Sequence, residues 1–168
     1  DLGGIAKGYA VDRVVRLLRE RGYVDFLIDA GGDIFASGRN TELGYDSWGI
    51  DIADPSDVNN RLALLRLRDV AVATSGTDRR TWNVEGNKRH HLIDPRTGKS
   101  AVTDVVSATV VGASTVQAEV FAKTLCIIGR EKALIFAEER HIPVFFVTDD
   151  GKTVYNSFMK PFLYDETA

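Results

Sequence analysis

The order of helical and strand patterns is the feature that most constrains the fold of this 168-residue chain. Apolar residues recur at helical spacing over residues 6–21, and two more helices are predicted over residues 115–128 and 131–139. The runs between and after them are short, rich in β-branched residues and bounded by glycine or proline, which predicts strands. Helices and strands do not alternate one for one. The sequence therefore predicts an α+β fold with packed helices on a mixed or largely antiparallel sheet.

Local signals set the expected element boundaries. Ser114 or Thr115 is expected to cap the second helix, and Gly129 is expected to end it. The double glycine of residues 29–33 and the Asp-Pro-Arg-Thr-Gly sequence of residues 94–98 each predict a turn. Strands are predicted over residues 24–28, 34–36, 48–52, 62–67, 70–73, 91–93, 108–111, 144–147 and 153–155.

Composition excludes several classes of function. Hydrophobic residues make up 44% of the chain and charged residues 27%, as in an ordinary globular protein, and the length favours one unit over residues 1–168. The formal net charge of −3 gives no electrostatic reason to expect nucleic acid or an anionic membrane as a partner. No apolar run is long enough for a transmembrane segment. Cys126 is the only cysteine, and its apolar helical setting predicts a buried, inert thiol.

A glycine-rich turn runs directly into the first helix. Residues 1–12 read Asp-Leu-Gly-Gly-Ile-Ala-Lys-Gly-Tyr-Ala-Val-Asp. Backbone amides in the first turn of a helix lack partners and lie at the positive end of the helix dipole, so such a start can bind an anion, with phosphate the first candidate. The alternative is that the glycines only shape a loop.

Three further segments combine glycine with hydroxyl, acid or histidine side chains: Ala-Gly-Gly-Asp at residues 30–33, Ala-Thr-Ser-Gly at residues 73–76, and His-His-Leu-Ile-Asp-Pro-Arg-Thr-Gly at residues 90–98. Taken singly, each can be explained by turn chemistry. In a strand His90 and His91 would face opposite sides, so only one of them can point into a shared pocket. The spacing does not suit zinc, because neither Cys126 nor His141 lies in a metal motif.

Glu119 and Lys123 lie four residues apart on the second predicted helix, so they share a face. One interpretation is an exposed ion pair. The other is that Glu119 contributes an oxygen ligand to a hard cation such as Mg²⁺.

Together and in this order, the four glycine-bearing segments resemble the ApbE family of FAD:protein FMN transferases, also called flavin transferases. The resemblance covers essentially the whole chain but only the C-terminal half of a usual family member. It implies an ApbE-like fold, and it leads us to expect that residues 1–168 form the C-terminal part of a longer flavin transferase.

The resemblance implies a reaction and some of its residues. FAD is cleaved at its pyrophosphate, FMN is joined by a phosphoester to a Ser or Thr of an acceptor flavoprotein, and AMP leaves, with Mg²⁺ as the usual cation. By the same resemblance Gly3, Tyr9 and Ile93 match positions that contact the flavin nucleotide, and the carbonyl of Ala6 matches a metal ligand.

Physical arguments add other candidates. Lys7 offers a point charge to a phosphate, and Ser75 is a small donor that suits close approach of a ligand. The acceptor hydroxyl needs a general base, for which His91, Asp12 and Asp33 are open alternatives.

The chain departs from the family at the helix that holds the other metal ligands. The family typically shows Ala-Asp-x-x-x-Thr there, whereas residues 118–123 read Ala-Glu-Val-Phe-Ala-Lys. Glu119 can still bind a metal, but Lys123 cannot. Lys123 could instead partly replace the cation, and a simple Glu119–Lys123 ion pair is the alternative.

Two other functions use the same residues. One is an FAD pyrophosphatase that gives FMN and AMP with water as acceptor, and the other is a non-catalytic FAD-binding protein. Localisation stays open between the cell envelope, by export or a lipid anchor, and the cytoplasm.

Overall fold

The computed structural model describes residues 2–78, 80–84 and 86–164. The helices in these ranges are α1 (Ala6–Glu20), α2 (Thr115–Ile128) and α3 (Arg130–Glu139), followed by a 3-10 turn at Lys160–Phe162. The strands are β1 (Phe26–Asp29), β2 (Asp33–Ser37), β3 (Trp48–Ala53), β4 (Arg61–Leu67), β5 (Val70–Gly76), β6 (Thr81–Val84), β7 (Asn87–His90), β8 (Ile93–Asp94), β9 (Lys99–Ser100), β10 (Val105–Gly112), β11 (Val144–Thr148) and β12 (Thr153–Tyr155).

Among the described residues, six strands form one sheet in the order β1-β2-β5-β10-β11-β12, and every neighbouring pair is antiparallel. The pairs β3–β4, β6–β7 and β8–β9 form separate two-stranded hairpins. The predicted α+β fold with a largely antiparallel sheet is therefore confirmed.

The sheet is covered on both faces. Apolar side chains of β10 and β11 pack under α2 and α3, and Val11 and Val15 of α1 pack on β2 and β5. The opposite face of the sheet packs against the β3–β4 hairpin and Met159. Because successive strand residues face opposite sides of the sheet, alternate residues of the central strands pack against the helices on one face and against the hairpin on the other.

Several predicted boundaries are confirmed. The Ser114 hydroxyl accepts a hydrogen bond from the Gln117 amide and caps α2, and Gly129 adopts a φ of 81° at its end. The turn between β1 and β2 uses Gly31 and Gly32 at positive φ, which explains the double glycine there. No helix among the described residues is long and apolar enough to cross a membrane.

The expected strand over residues 91–93 is wrong. Strand pairing in β7 ends at His90 and resumes in β8 at Ile93, so His91 and Leu92 lie between two hairpins. The β6–β7 hairpin itself has no counterpart in the prediction. Its four described β6 residues are all exposed, so it lacks the buried alternation from which strands are predicted.

Candidate functional site

The first turn of α1 crosses the start of α2 at very short range. A Cβ atom on Gly8 would lie only 2.7–2.8 Å from backbone atoms of Thr115 and Val116, closer than any side chain can approach. The Gly8 amide donates a 2.8 Å hydrogen bond to Oε2 of Glu119 in α2. Gly8 is therefore required for the approach of the two helices, and the anion at the start of α1 is a carboxylate of the chain itself.

Asp12 lies one turn further along α1 and caps α2 from outside it. One carboxylate oxygen accepts from the Thr115 amide at 2.8 Å, and the other accepts from the Val116 amide at 3.1 Å. A carboxylate at a helix N-terminus satisfies unpaired amides and complements the helix dipole. Because both oxygens hold α2, this geometry favours a structural role for Asp12 over that of a general base.

Glu119 and Lys123 form a short ion pair inside the molecule, not on its surface. Oε1 of Glu119 accepts from Nζ of Lys123 at 2.8 Å, and the two side chains are only 1% and 21% exposed. The Lys123 stem lies against the start of α1, because its Cδ is 3.4 Å from the place where Gly4 would carry a Cβ. The expectation of an exposed pair is thus wrong, and both oxygens of Glu119 are hydrogen-bonded.

Lys7 and Asp33 form a second ion pair beside the first. Nζ of Lys7 lies 2.6 Å from Oδ2 of Asp33, whose side chain is buried at the start of β2. Burial raises the pKa of Asp33 above its ordinary value of 3.8, while the hydrogen bond and charge of Lys7 lower it. The charges of Glu119 and Lys123 also act on Asp33, so the two pairs share one neighbourhood.

The two adjacent histidines have different surroundings. The ring of His90 is buried, and its Nε2 lies 3.0 Å from the carbonyl oxygen of Ala101, while its Nδ1 has no hydrogen-bond partner among the described residues. His91 is half-buried, and its Nδ1 has no hydrogen-bond partner in the described part of the chain.

Burial lowers the pKa of His91 below its ordinary 6.5, and the charge of Arg80 lowers it further. The charge of Lys123 adds a smaller effect in the same direction, so His91 faces the same neighbourhood as the two ion pairs. A histidine with a lowered pKa is neutral at pH 7 and can accept a proton.

Residues predicted to contact the nucleotide differ in accessibility. Tyr9 is 61% exposed and Ile93 is 45% exposed, while Gly3 lies in the open turn before α1. Ser75 is buried in β5, opposite Ala108 of β10, and its carbonyl accepts from the thiol of Cys126 at 3.1 Å. The exposed side chains of Tyr9 and Ile93 are accessible to a ligand, whereas Ser75 offers a ligand little accessible area.

The predicted metal ligands do not form a cation site as they stand. Glu119 already accepts from Gly8 and Lys123, and the Ala6 carbonyl, at the start of α1, lies where a helix uses carbonyls for its own hydrogen bonds. No group of three or more His, Cys, Asp or Glu side chains among the described residues could hold a metal. Mg²⁺ can take water and phosphate for most of its six oxygen ligands, but the one carboxylate of this donor set already holds the Lys123 ammonium, so the set as it stands does not fit a second cation.

Sequence reasoning found most of the polar residues here but missed the role of Gly8. The signal was present, because an isolated glycine inside a helical pattern costs about 1 kcal/mol and suggests a packing reason. It also missed Arg80, which precedes the unpredicted β6–β7 hairpin.

The chain is similar to a known protein family and to named members of that family. The ApbE family profile matches residues 1–146. The chain is 38% identical over 167 residues to the FAD:protein FMN transferase of Vibrio cholerae and 31% identical over 170 residues to that of Escherichia coli K12. These alignments cover 97% and 99% of this chain but 49% and 48% of the relatives. The chain thus spans about half the length of the curated relatives it matches.

Solved structures give the same result. The flavin transferase ApbE from Vibrio cholerae matches with a TM-score of 0.81 at 36% identity, over 97% of this chain and 52% of that one. The ApbE protein from Thermotoga maritima matches with a TM-score of 0.87 at 30% identity, over 98% of this chain and 53% of that one. The ApbE-like fold expected from the sequence is confirmed.

Proposed function

Because the chain belongs to the ApbE family, we propose that its site takes part in moving FMN from FAD to a Ser or Thr hydroxyl of an acceptor protein. In this reaction the acceptor oxygen attacks the phosphorus on the FMN side of the pyrophosphate. The bond from that phosphorus to the bridging oxygen breaks, AMP leaves with that oxygen, and the hydroxyl proton passes to a base. Such a transfer depends on positioning and charge neutralisation more than on covalent catalysis.

One observation carries the proposal: two lysine–carboxylate pairs lie together at the start of α1, and the charge of one of them, on Lys123, acts on His91. The ammonium groups of Lys7 and Lys123, each paired with a carboxylate, offer charged hydrogen-bond donors to the pyrophosphate of FAD. The exposed rings and chains of Tyr9 and Ile93 offer apolar contact to the flavin or adenine. Gly3 has no side chain and is exposed, so it gives a ligand room to approach the turn before α1.

The base is assigned to His91. Asp12 is held as a helix cap, and Asp33 is paired with Lys7, whereas the half-buried His91 ring has one nitrogen, the buried Nδ1, without a hydrogen-bond partner among the described residues. Its lowered pKa keeps it neutral at pH 7, ready to take the proton of the attacking hydroxyl. Asp33 then orients Lys7 and balances its charge.

The family resemblance also predicts Mg²⁺ on the Ala6 carbonyl and Glu119. In this chain the Lys123 ammonium already lies on Glu119, so no step of the proposed reaction is assigned to a metal. The residues that neutralise the phosphates are Lys7 and Lys123.

The test measures two products in parallel with the full-length protein. FAD is supplied with and without an acceptor protein, and intact mass reports FMN on the acceptor while chromatography reports AMP. We expect an FMN adduct on a Ser or Thr and AMP in equal amount. AMP without an adduct would indicate a pyrophosphatase instead, and tight FAD binding without AMP would indicate a binding protein.

The His91 assignment has its own measurement. His91→Gln should lower the rate of transfer by about 10²–10⁴, the range for loss of a general base. Because the pKa of His91 is lowered, the wild-type rate should fall only when the pH drops below 6.5. His141→Gln is the control, because His141 is exposed and is not among the groups that shift the pKa of His91, so it should leave the pH profile unchanged.

A further inference from the structure

The position expected for the divalent cation is occupied by a side chain. Both oxygens of Glu119 are engaged at 2.8 Å, one by the Gly8 amide and the other by the Lys123 ammonium. Each oxygen keeps a second lone pair, but the Glu119 side chain is only 1% exposed, so a metal ion could reach this carboxylate only by displacing one of the groups packed against it. The Gly8 amide cannot leave without separating α1 from α2, because those helices touch backbone to backbone.

The Lys123 ammonium is held in place by the surrounding chain. Its side chain is only 21% exposed, and its stem fits over Gly4, where the missing side chain leaves room. Its charge reaches both Asp33 and His91, which lie on different elements. Lys123 therefore shares one neighbourhood with Asp33 and His91.

Charge balance argues against a metal joining this arrangement. The pairs Lys7–Asp33 and Lys123–Glu119 are each neutral overall. A divalent cation beside Glu119 would lie within a few ångströms of a fixed ammonium in a partly buried site, where like charges repel strongly. Removing Lys123 would favour metal binding, because Glu119 is then a buried carboxylate without a cation.

We propose that the Lys123 ammonium, held on Glu119 at the start of α1, is a built-in cation that replaces the divalent metal in binding the pyrophosphate. This inference rests on the proposed function, since it assigns the charge that the FAD site would use. It predicts that this chain binds FAD equally well with Mg²⁺ and with EDTA.

The test combines FAD binding with direct metal binding in the full-length protein. Flavin fluorescence gives the Kd of FAD in EDTA and in Mg²⁺, and the paramagnetic resonance of free Mn²⁺ counts bound metal without any turnover. For the wild type we expect less than a twofold change in Kd between the two buffers and no stoichiometric Mn²⁺ site.

Two variants at the same position separate charge from ligation. Lys123→Thr should weaken FAD binding at least tenfold in EDTA, recover it in Mg²⁺ and bind one Mn²⁺. Lys123→Met keeps the apolar stem but lacks both charge and hydroxyl, so it should lose affinity in EDTA and recover less in Mg²⁺. Lys132→Met, on the exposed face of α3, is the matched control and should match the wild type in both assays. Thermal unfolding of each variant checks that it is folded.

The two proposals fail separately. One Mn²⁺ on the wild type, with a metal requirement as steep as that of Lys123→Thr, would overturn the built-in cation. If FAD does not bind under any condition, the proposed function fails, and the Mn²⁺ counts still decide whether Lys123 occupies the position of the metal. Absence of Mn²⁺ from the wild type with one ion on Lys123→Thr supports it, and equal counts on both overturn it.

Discussion

The two ends of α2 are built differently. At its start, Glu119 is buried among polar partners supplied by α1 and by Lys123. Toward its end, Leu125 and Cys126 are buried among apolar side chains of β10, β11 and α3. The apolar end gains stability from area removed from water, whereas a buried carboxylate repays its desolvation only while its partners stay in place. Burial of the polar end of α2 therefore costs free energy of desolvation. Such a cost is expected where charged groups serve a ligand site.

The largest expected effect on stability comes from the apolar end. Leu125→Ala should lower the free energy of unfolding by about 2–5 kcal/mol, because Leu125 is fully buried and its loss leaves a cavity. Urea denaturation measures this change, and flavin fluorescence should show unchanged FAD affinity. Val120→Ala on the exposed side of α2 is the control, with a change within about 0.5 kcal/mol. Loss of FAD affinity in Leu125→Ala would mean that the two ends are not independent.

The next largest effect is expected from a substitution at Gly8, which contacts the polar end of α2. Gly8→Ala places a methyl group 2.7–2.8 Å from the α2 backbone, so the helices must separate, at a cost of about 1–3 kcal/mol. The Gly8–Glu119 hydrogen bond is lost with the shift, and we expect FAD affinity to fall about tenfold or more. Gly49→Ala is the matched control, because its methyl group would meet Leu64 at an ordinary 3.4 Å. Unchanged FAD affinity in Gly8→Ala would remove the α1–α2 crossing from the site.

A smaller effect concerns Asp33 and pH. Its native pKa lies above 3.8 because of burial, so its favourable contribution is complete below pH 3.8 and is lost as the pH rises through the native pKa. Asp33→Asn should therefore become more stable relative to the wild type as the pH rises from 3.5 to 7, measured by urea denaturation at each pH.

Asp150→Asn is the control of opposite sign. Hydrogen bonds from Lys152 and Thr148 hold the pKa of Asp150 well below its usual range, so its contribution is present at neutral pH and lost on acidification. The Asp150→Asn variant should thus lose stability relative to the wild type as the pH rises. The same slope in both variants would mean that Lys7 outweighs burial at Asp33.

The last prediction concerns the thiol of Cys126 at the apolar end of α2, which we expect to resist alkylation in the native protein. Burial raises the pKa of the Cys126 thiol to about 12, so only about one thiol in ten thousand is a thiolate at pH 8. Iodoacetamide should leave native Cys126 unmodified for hours and alkylate it at once in urea, as read by intact mass. Rapid alkylation of the native protein would show that this end of α2 opens easily.

Local chemistry in the sequence determined most of the elements. The Ser114 cap, Gly129 after α2 and the double glycine between β1 and β2 all depend on neighbours a few residues away, so they could be predicted. The β6–β7 hairpin could not, because exposed strands lack the buried alternation that identifies a strand. Cys126 was likewise predictable as a buried thiol, since its neighbours Leu125, Ile127 and Ile128 are apolar.

Tertiary structure decided what the site residues do. Gly8 meets Glu119 across 111 positions and Asp12 meets Thr115 across 103, distances over which residue patterns carry no information. Residue type and spacing alone indicated four polar residues that could serve a site: Asp12, His90, His91 and Lys123. Only packing made Asp12 a helix cap, separated buried His90 from half-exposed His91 and placed Lys123 inside the site, because burial and partners set the charge and contacts of each group.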